Sequence, residues 1–386
     1  MTDVHGEVAP KFAAVQDAFS RNFVEHGEVG AAFTAYVDGE CVVDIWGGVA
    51  DRVEDRPWDR DTLQLVFSCT KGATSVCANL LAERGELDID APVAEYWPEF
   101  AAEGKGSIPV RWLLSHEAGL VALDVELTAE DAYRWTPVVD ALAAQAPLWE
   151  PGTAHGYHAV TFGWLVGEVV RRITGQSLGT FFATEVAEPL GLEFWIGLPP
   201  ELEPRVSRLV GMGVGNESDG DSDGVASSGL TANLDPSLLI VRALEPVKGL
   251  SGAFNSPELH RAELPAANGI CTSRSLARMY AGLIGEVNGV RILKPQTVDA
   301  ARETVSRGPD KVLFLETHFG RGFMLPSAFF PMAGGSCFGH PGAGGAVGFA
   351  DPERRIAVGY VMNRMLTNLA GDPRSTALVD ALYASL

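Results

Sequence analysis

An alcohol attacks a carbonyl near neutral pH only when a base stands beside it, and two stretches of this chain give a serine such a setting. The first is Ser68-Cys69-Thr70-Lys71, the one S-x-x-K in the sequence. It follows the apolar run from Leu63 to Phe67 and opens a pattern with helical spacing. Residues i and i+3 are neighbours on a helix face, so the Lys71 amine can lie against the Ser68 hydroxyl. A lysine whose pKa is lowered by burial or nearby positive charge can then take the serine proton. A serine at a helix start also carries one of the backbone N–H groups left unpaired there, a donor suited to an oxyanion. The plainer reading of the same four residues is a helix N-cap with Lys71 solvated one turn further on.

The second stretch is Gly175-Gln176-Ser177-Leu178-Gly179, a formal G-x-S-x-G. A nucleophile elbow needs a strand before the serine and a helix after it. Here Phe162 to Thr174 carries apolar residues at helical spacing and ends just past Arg171-Arg172. Gly175 then fits a helix C′ stop and Ser177 the N-cap of the next helix. Ser177 is expected to be structural, which disfavours an α/β-hydrolase.

The elements that must hold Ser68 follow from periodicity. Residues 8–27 space Phe12, Val15, Phe19 and Phe23 as a helix does, until Gly27. Two apolar runs joined by Asp38-Gly39 read as a hairpin. Near the other end FGRGFML, SCFGHPG, AVGFADPE and RIAVGYVMN read as successive strands, and residues 374–385 as a helix. Between them the chain is mainly helical, as in TKGATSVCANLLAERGEL, VTFGWLVGEVVRRITG and TSRSLARMYAGLIGEV. The expectation is an α+β fold: one antiparallel sheet formed from N- and C-terminal segments, flanked by helices, with a large, mainly helical inserted domain. Residues 1–65 plus 301–386 would make the discontinuous sheet domain and 66–300 the helical one, with the active site between them. Residues 213–229 are polar, acidic and Gly/Ser-rich, and read as a flexible loop. Asp219, Asp221 and Asp223 alternate there, but no Glu follows at the EF-hand position, so a calcium site is not expected.

Taken with S-C-T-K, three further segments resemble the serine β-lactamase-like, penicillin-binding-protein-like superfamily. Leu113-Leu114-Ser115-His116-Glu117-Ala118-Gly119-Leu120 resembles its LLSHTSGL segment. Pro151-Gly152-Thr153 followed by Tyr157-His158-Ala159 resembles its PGT and catalytic-tyrosine region, and Gly339-His340-Pro341-Gly342-Ala343-Gly344-Gly345 stands where the family carries a KTG-like motif. Order and rough spacing agree over about residues 10–385. Within that group the chain is most similar to family VIII carboxylesterases, relatives of class C β-lactamases and DD-peptidases. The resemblance implies Ser68 as nucleophile, Lys71 and Tyr157 as a general base and acid pair, and the Ser68 and Ala343 N–H groups as the oxyanion hole. Gly342 would let the strand approach closely. Lys71 would keep Tyr157 acidic, since a nearby cation lowers a phenol's pKa. His340 would line the acyl or alcohol pocket, or close a turn before Pro341.

Two departures bear on the substrate. Ala159 stands where β-lactamases of that class have asparagine, and His340-Pro341-Gly342 where they have Lys-Thr-Gly. The second removes a cation that would pair with a β-lactam or peptide carboxylate. A small neutral ester is therefore the expected substrate. The alternatives are hydrolysis of β-lactams or peptides, acyl transfer to an alcohol, and a non-catalytic binding protein on the same fold.

Composition narrows the partners. Fifty acidic residues against 29 basic ones give a formal net charge of −21, a field that repels phosphate backbones and anionic bilayers. Neither nucleic acid nor membrane is expected to bind. No apolar stretch approaches the roughly 20 residues that span a bilayer, and the first residues lack a basic start followed by an apolar run. Five scattered cysteines show no zinc spacing. A cytoplasmic monomer or homodimer without cofactor is the expectation. His155 and His158 have HxxH spacing, but no acidic partner motif accompanies them. His116 reads as structural, its ring bonded locally, and Trp135, Trp149 and Trp195 as core or pocket lining.

Overall fold

The computed structural model describes residues 2–211, 234–331, 334–367 and 371–386, so the loop expected at 213–229 lies outside the described residues. Strand β1 (Val4–Val8) precedes helix α1 (Ala13–Glu25). β2 (Gly30–Val37) and β3 (Glu40–Asp51) form the expected hairpin. Asp38 and Gly39 both take positive φ, 54° and 82°, the geometry of the two-residue turn that Asp-Gly favours. Helices α2 (Thr70–Glu83), α3 (Thr161–Thr174) and α4 (Ser273–Ile284) follow. The chain ends in β4 (Phe338–Pro341), β5 (Val347–Asp351), β6 (Ile356–Met362) and α5 (Pro373–Ala384).

Among the described residues these strands make a seven-stranded antiparallel sheet in the order β1-β3-β2-β6-β5-β4, with Arg56–Pro57 pairing to β3. The two ends of the chain meet where β6 lies along β2, Met362 opposite Ala31 and Ile356 opposite Val37. This is the α+β architecture the sequence pointed to.

Both β2 and β6 are buried along their length, so alternate side chains enter different layers. On one face Thr34 hydrogen-bonds Ser273 of α4 at 2.8 Å. On the other, the Tyr360 hydroxyl donates to Glu28 in the loop after α1. There α1 and α5 pack together, Asn22 Nδ2 donating to the Arg374 carbonyl at 3.2 Å. Helix α4 thus covers the sheet although its residues fall within the 66–300 stretch.

The FGRGFML segment is not one strand. Glu316–Phe319 pairs with Ser306–Pro309 in a separate ribbon. The chain then turns tightly, Gly322 N–H donating to Gly320 O at 2.9 Å, and Met324 rejoins beside Gly339. Two glycines two positions apart, Gly320 and Gly322, favour that turn over continuous pairing.

Helix α2 sits at the centre, with every residue from Thr70 to Leu81 buried. A helix so enclosed must satisfy its polar side chains within the protein. Thr74 Oγ1 donates to Pro265 O, Ser75 Oγ to Gly322 O (2.9 Å) and Asn79 Nδ2 to Arg321 O (3.0 Å). It is bonded both to the segment before α4 and to the chain approaching β4. No helix among the described residues is long and apolar enough to cross a membrane.

Candidate active site

Ser68 stands at a kink. Val66 N–H donates to Gly269 O at 2.8 Å, and Phe67 takes φ 45°. That left-handed conformation costs a bulky residue roughly 1–3 kcal/mol. The Phe67 carbonyl accepts the Thr70 N–H at 2.9 Å and the Thr70 hydroxyl, and the ring packs on Phe254 at 4.8 Å. Beyond the kink Ser68 lines a cleft, and Lys71 N–H donates to Ser68 O at 3.0 Å as α2 begins. The turn brings Lys71 Nζ to 3.2 Å from Ser68 Oγ.

Lys71 is 0% exposed. Burial holds its amine well below the usual lysine range, against an opposing pull from the Cys69 thiol. A neutral amine has two N–H donors and one lone pair. The carbonyls of Ala159 (2.6 Å) and Ala266 (3.0 Å) take the donors, which leaves the lone pair for the Ser68 hydroxyl. That is the geometry of a general base facing its nucleophile. Ala159, at the position of the missing asparagine, contributes its backbone instead.

Tyr157 comes from the irregular stretch before α3, and two distant residues place it. Its N–H donates to Asp310 Oδ1 at 3.1 Å, and the same oxygen accepts the N–H groups of Val312 and Leu313. The neighbours of Tyr157 are held by His116: Gly156 N–H donates to the His116 carbonyl and His158 N–H to His116 Nδ1, both at 3.0 Å. The His116 ring therefore bonds across the fold, not locally as expected. Asp310 was not among the residues that the sequence singled out.

The Tyr157 ring stacks on Phe319, with centroids 6.3 Å apart and planes at 9°, and presents a face to Lys71 Nζ at 4.8 Å. Burial pushes the phenol up, and a hydrogen bond with Ser68 pulls the other way. The expected acidification by Lys71 is not found. The buried amine is itself driven neutral, and it faces the ring instead of the hydroxyl.

His340 is 1% exposed and does not line the cleft, which corrects its expected place on the substrate side. Its Nδ1 lies 2.7 Å from the Pro341 carbonyl, and a carbonyl only accepts, so Nδ1 carries the proton. Nε2 then presents a lone pair 3.4 Å from Tyr157 Oη. Burial first, and then Lys71, push this ring down to about 3. It is a neutral acceptor where the KTG-like motif would place a cation.

The cleft has a volume of about 320 Å³. Its walls include Ile240, Leu244, Leu313, Phe329 and Phe330, and the Gly342–Ala346 turn borders it beside Ser68. Among the described lining residues the charged ones are Asp372 and Asp380, with no lysine or arginine. A Cβ on Gly342 would lie 2.3 Å from the Val66 carbonyl, so only glycine lets β4 approach this closely. Among the described residues no backbone carbonyl takes the Ser68 or the Ala343 N–H.

The remaining candidates have other partners. Ser177 Oγ donates to Glu263 (2.6 Å) and accepts the Thr180 N–H, a helix cap after Gly175 at φ 72°. His155 Nε2 pairs with Thr317 at 2.9 Å. His158 Nε2 accepts the Leu120 N–H, while its Nδ1 donates to the Gly156 carbonyl. Burial also raises the Cys69 thiol, so it stays protonated beside Ser68.

These features define a class. The chain belongs to the beta-lactamase family, whose family model, described as Beta-lactamase, matches residues 15–383. Among curated relatives it is 37% identical over 371 residues to the esterase/beta-lactamase LipL of Mycobacterium tuberculosis (strain ATCC 25618 / H37Rv), covering 95% of this chain and 84% of that protein. Among solved structures, a family VIII carboxylesterase superposes with a TM-score of 0.89 at 39% identity, covering both chains fully. A penicillin-binding protein homologue from Caulobacter crescentus gives 0.87 at 38%, also covering both chains fully. EstA from Arthrobacter nitroguajacolicus Rue61a gives 0.86 at 31%, covering 100% of this chain and 98% of that one.

Proposed function

We propose that this protein is a serine carboxylesterase that hydrolyses small neutral esters through a Ser68 acyl-enzyme. The observation that carries the reading is the buried, neutral Lys71 amine 3.2 Å from Ser68 Oγ beside an apolar cleft. In acylation the Ser68 proton passes to the Lys71 lone pair as Oγ bonds to the ester carbonyl carbon. The carbonyl oxygen takes the negative charge between the Ser68 and Ala343 N–H groups. The intermediate collapses by breaking the bond to the leaving alkoxide. That alkoxide takes the Tyr157 hydroxyl proton, and the proton held on Lys71 returns to the Tyr157 oxygen through a water, which leaves the amine neutral again. In deacylation a water attacks the acyl carbon, its proton following the reverse route, and Ser68 leaves protonated. His340 accepts from the Tyr157 hydroxyl between turnovers, which keeps that group a phenol.

Esterase relatives and the absence of basic side chains among the described lining residues support neutral substrates. Hydrolysis of β-lactams is the second reading, favoured by the name of the mycobacterial relative; here their carboxylate would meet Asp372 and Asp380 without a cation. The proposed setting is the cytoplasm, as a monomer or homodimer, and five unpaired cysteines support a reducing compartment. The test is to react the protein with a fluorophosphonate and locate the adduct by peptide mass spectrometry. A tag on Ser68 is expected; a tag on Ser177, or none, overturns the assignment.

A further inference from the structure

Arg374, near the start of α5, is a guanidinium with 0% side-chain exposure. All five of its N–H donors are used. Nε and Nη2 fork onto Asp372 at 3.0 and 2.8 Å, and Nη2 also reaches the Gly344 carbonyl at 2.6 Å. Nη1 serves Glu28 Oε1 at 2.8 Å and the Arg364 carbonyl at 2.9 Å. Glu28 is anchored in turn by the Tyr360 hydroxyl of β6. The cluster thus links the loop after α1, the sheet, the start of α5 and the turn between β4 and β5.

That turn carries the Ala343 N–H. Its internal bonds run from Gly342 N–H to Ala346 O (2.7 Å) and from Gly345 N–H to Gly342 O (3.2 Å). The Gly344 carbonyl is held from outside, by Arg374 and by the Leu366 N–H at 3.1 Å. Gly345, at φ 132°, has no room for a side chain: a Cβ would lie 2.4 Å from Asp372 Oδ2 and 2.5 Å from Arg374 Nη2. The fork is packed directly against the turn. A buried ion cluster is weak evidence for stability, since apolar replacements often do as well. Fixing the direction of a backbone donor is a task that apolar residues cannot perform.

The geometry points to Arg374 as a positioning residue for the oxyanion donor: through the Gly344 carbonyl, the Glu28–Arg374–Asp372 cluster holds the turn so that the Ala343 N–H faces the Ser68 adduct. This rests on the esterase reading above.

Arg374→Lys keeps the charge but loses the fork, and Gly345→Ala drives a methyl between the turn and the Asp372–Arg374 fork. Each is assayed with p-nitrophenyl butyrate and titrated with phenylboronic acid, which adds to the nucleophile as a tetrahedral adduct. In variants that are folded by circular dichroism, kcat is expected to fall about 100-fold, the scale of one lost oxyanion donor. KM is expected to change by less than about 3-fold, and boronate affinity to weaken in step with kcat. If Arg374→Lys does not fold, Gly345→Ala and Glu28→Gln carry the same test. A folded variant with kcat within about 3-fold of the parent overturns the proposal, as does a loss of kcat with boronate affinity unchanged. A parent protein that takes no fluorophosphonate on Ser68 overturns the esterase reading itself; a labelled parent with unimpaired variants overturns only the role of Arg374.

Discussion

Lys71 makes activity and stability respond to pH in the same direction. In the proposed mechanism its amine must be unprotonated to receive the Ser68 proton, and burial favours that form. Activity toward p-nitrophenyl butyrate should therefore fall as pH is lowered through the depressed pKa of Lys71 and the amine gains a proton. His340 and His158, each pushed down to about 3, stay neutral throughout and add no limb of their own above pH 5. For stability, the folded pKa lies below the unfolded value of 10.5. Between those two values the unfolded chain binds the extra proton, so stability rises with pH by up to about 1.4 kcal/mol per unit. Denaturant midpoints of the parent and Lys71→Met between pH 7 and 9 measure this; the variant should lose the slope, and parallel curves would refute it. The S-x-x-K pair was legible in the sequence because three positions on a helix is a local relation. The protonation states were not, since they come from enclosure by Ala159, Ala266, Tyr157 and Phe162.

At the level of elements, Tyr157 depends on strangers in sequence. Asp310 lies 153 residues away from it, and His116 is 42 residues from the His158 N–H it accepts. Replacing Asp310 with Asn presents an amide where three N–H groups converge on one carboxylate oxygen. The expected result is a folded protein with kcat lowered about 10-fold or more, because a shift of about 1 Å in a reacting group is costly. Unchanged kinetics would show that the tyrosine segment holds itself. Gly342→Ala should be worse, since its methyl meets the Val66 carbonyl at 2.3 Å; a loss of about 1–3 kcal/mol by denaturant titration is expected together with lost turnover. The hairpin at Asp38-Gly39 and the helices beginning at Thr70, Thr161 and Ser273 were readable from local pattern. The layer that α4 would cover was not, because amphipathic spacing marks an apolar face without naming its partner. FGRGFML misled for a related reason: Gly320 and Gly322, between its apolar ends, bend the chain.

Across the whole molecule the charge of −21 and a cleft whose described lining holds acids without bases act on a substrate together. The mono-p-nitrophenyl ester of succinic acid, which carries a carboxylate, should be hydrolysed at least about 10-fold more slowly than the butyrate at low salt. The gap should narrow as ionic strength rises toward about 0.5 M and long-range repulsion is screened. Equal rates at low salt would mean that the field does not reach the site. The sheet has a further consequence, drawn from the pairing of β6 with β2. Cys69 and the His340 carbonyl it bonds are 271 residues apart, so most of the chain is translated between Ser68 and the strand that ends beside it. A nascent chain that has exposed Ser68 still lacks the Gly342–Ala346 turn, and its β2 edge is bare. The cleft is therefore complete only when the final strands have left the ribosome, and a chain cut short before β4 would be a sticky, silent polypeptide in place of a weakened enzyme.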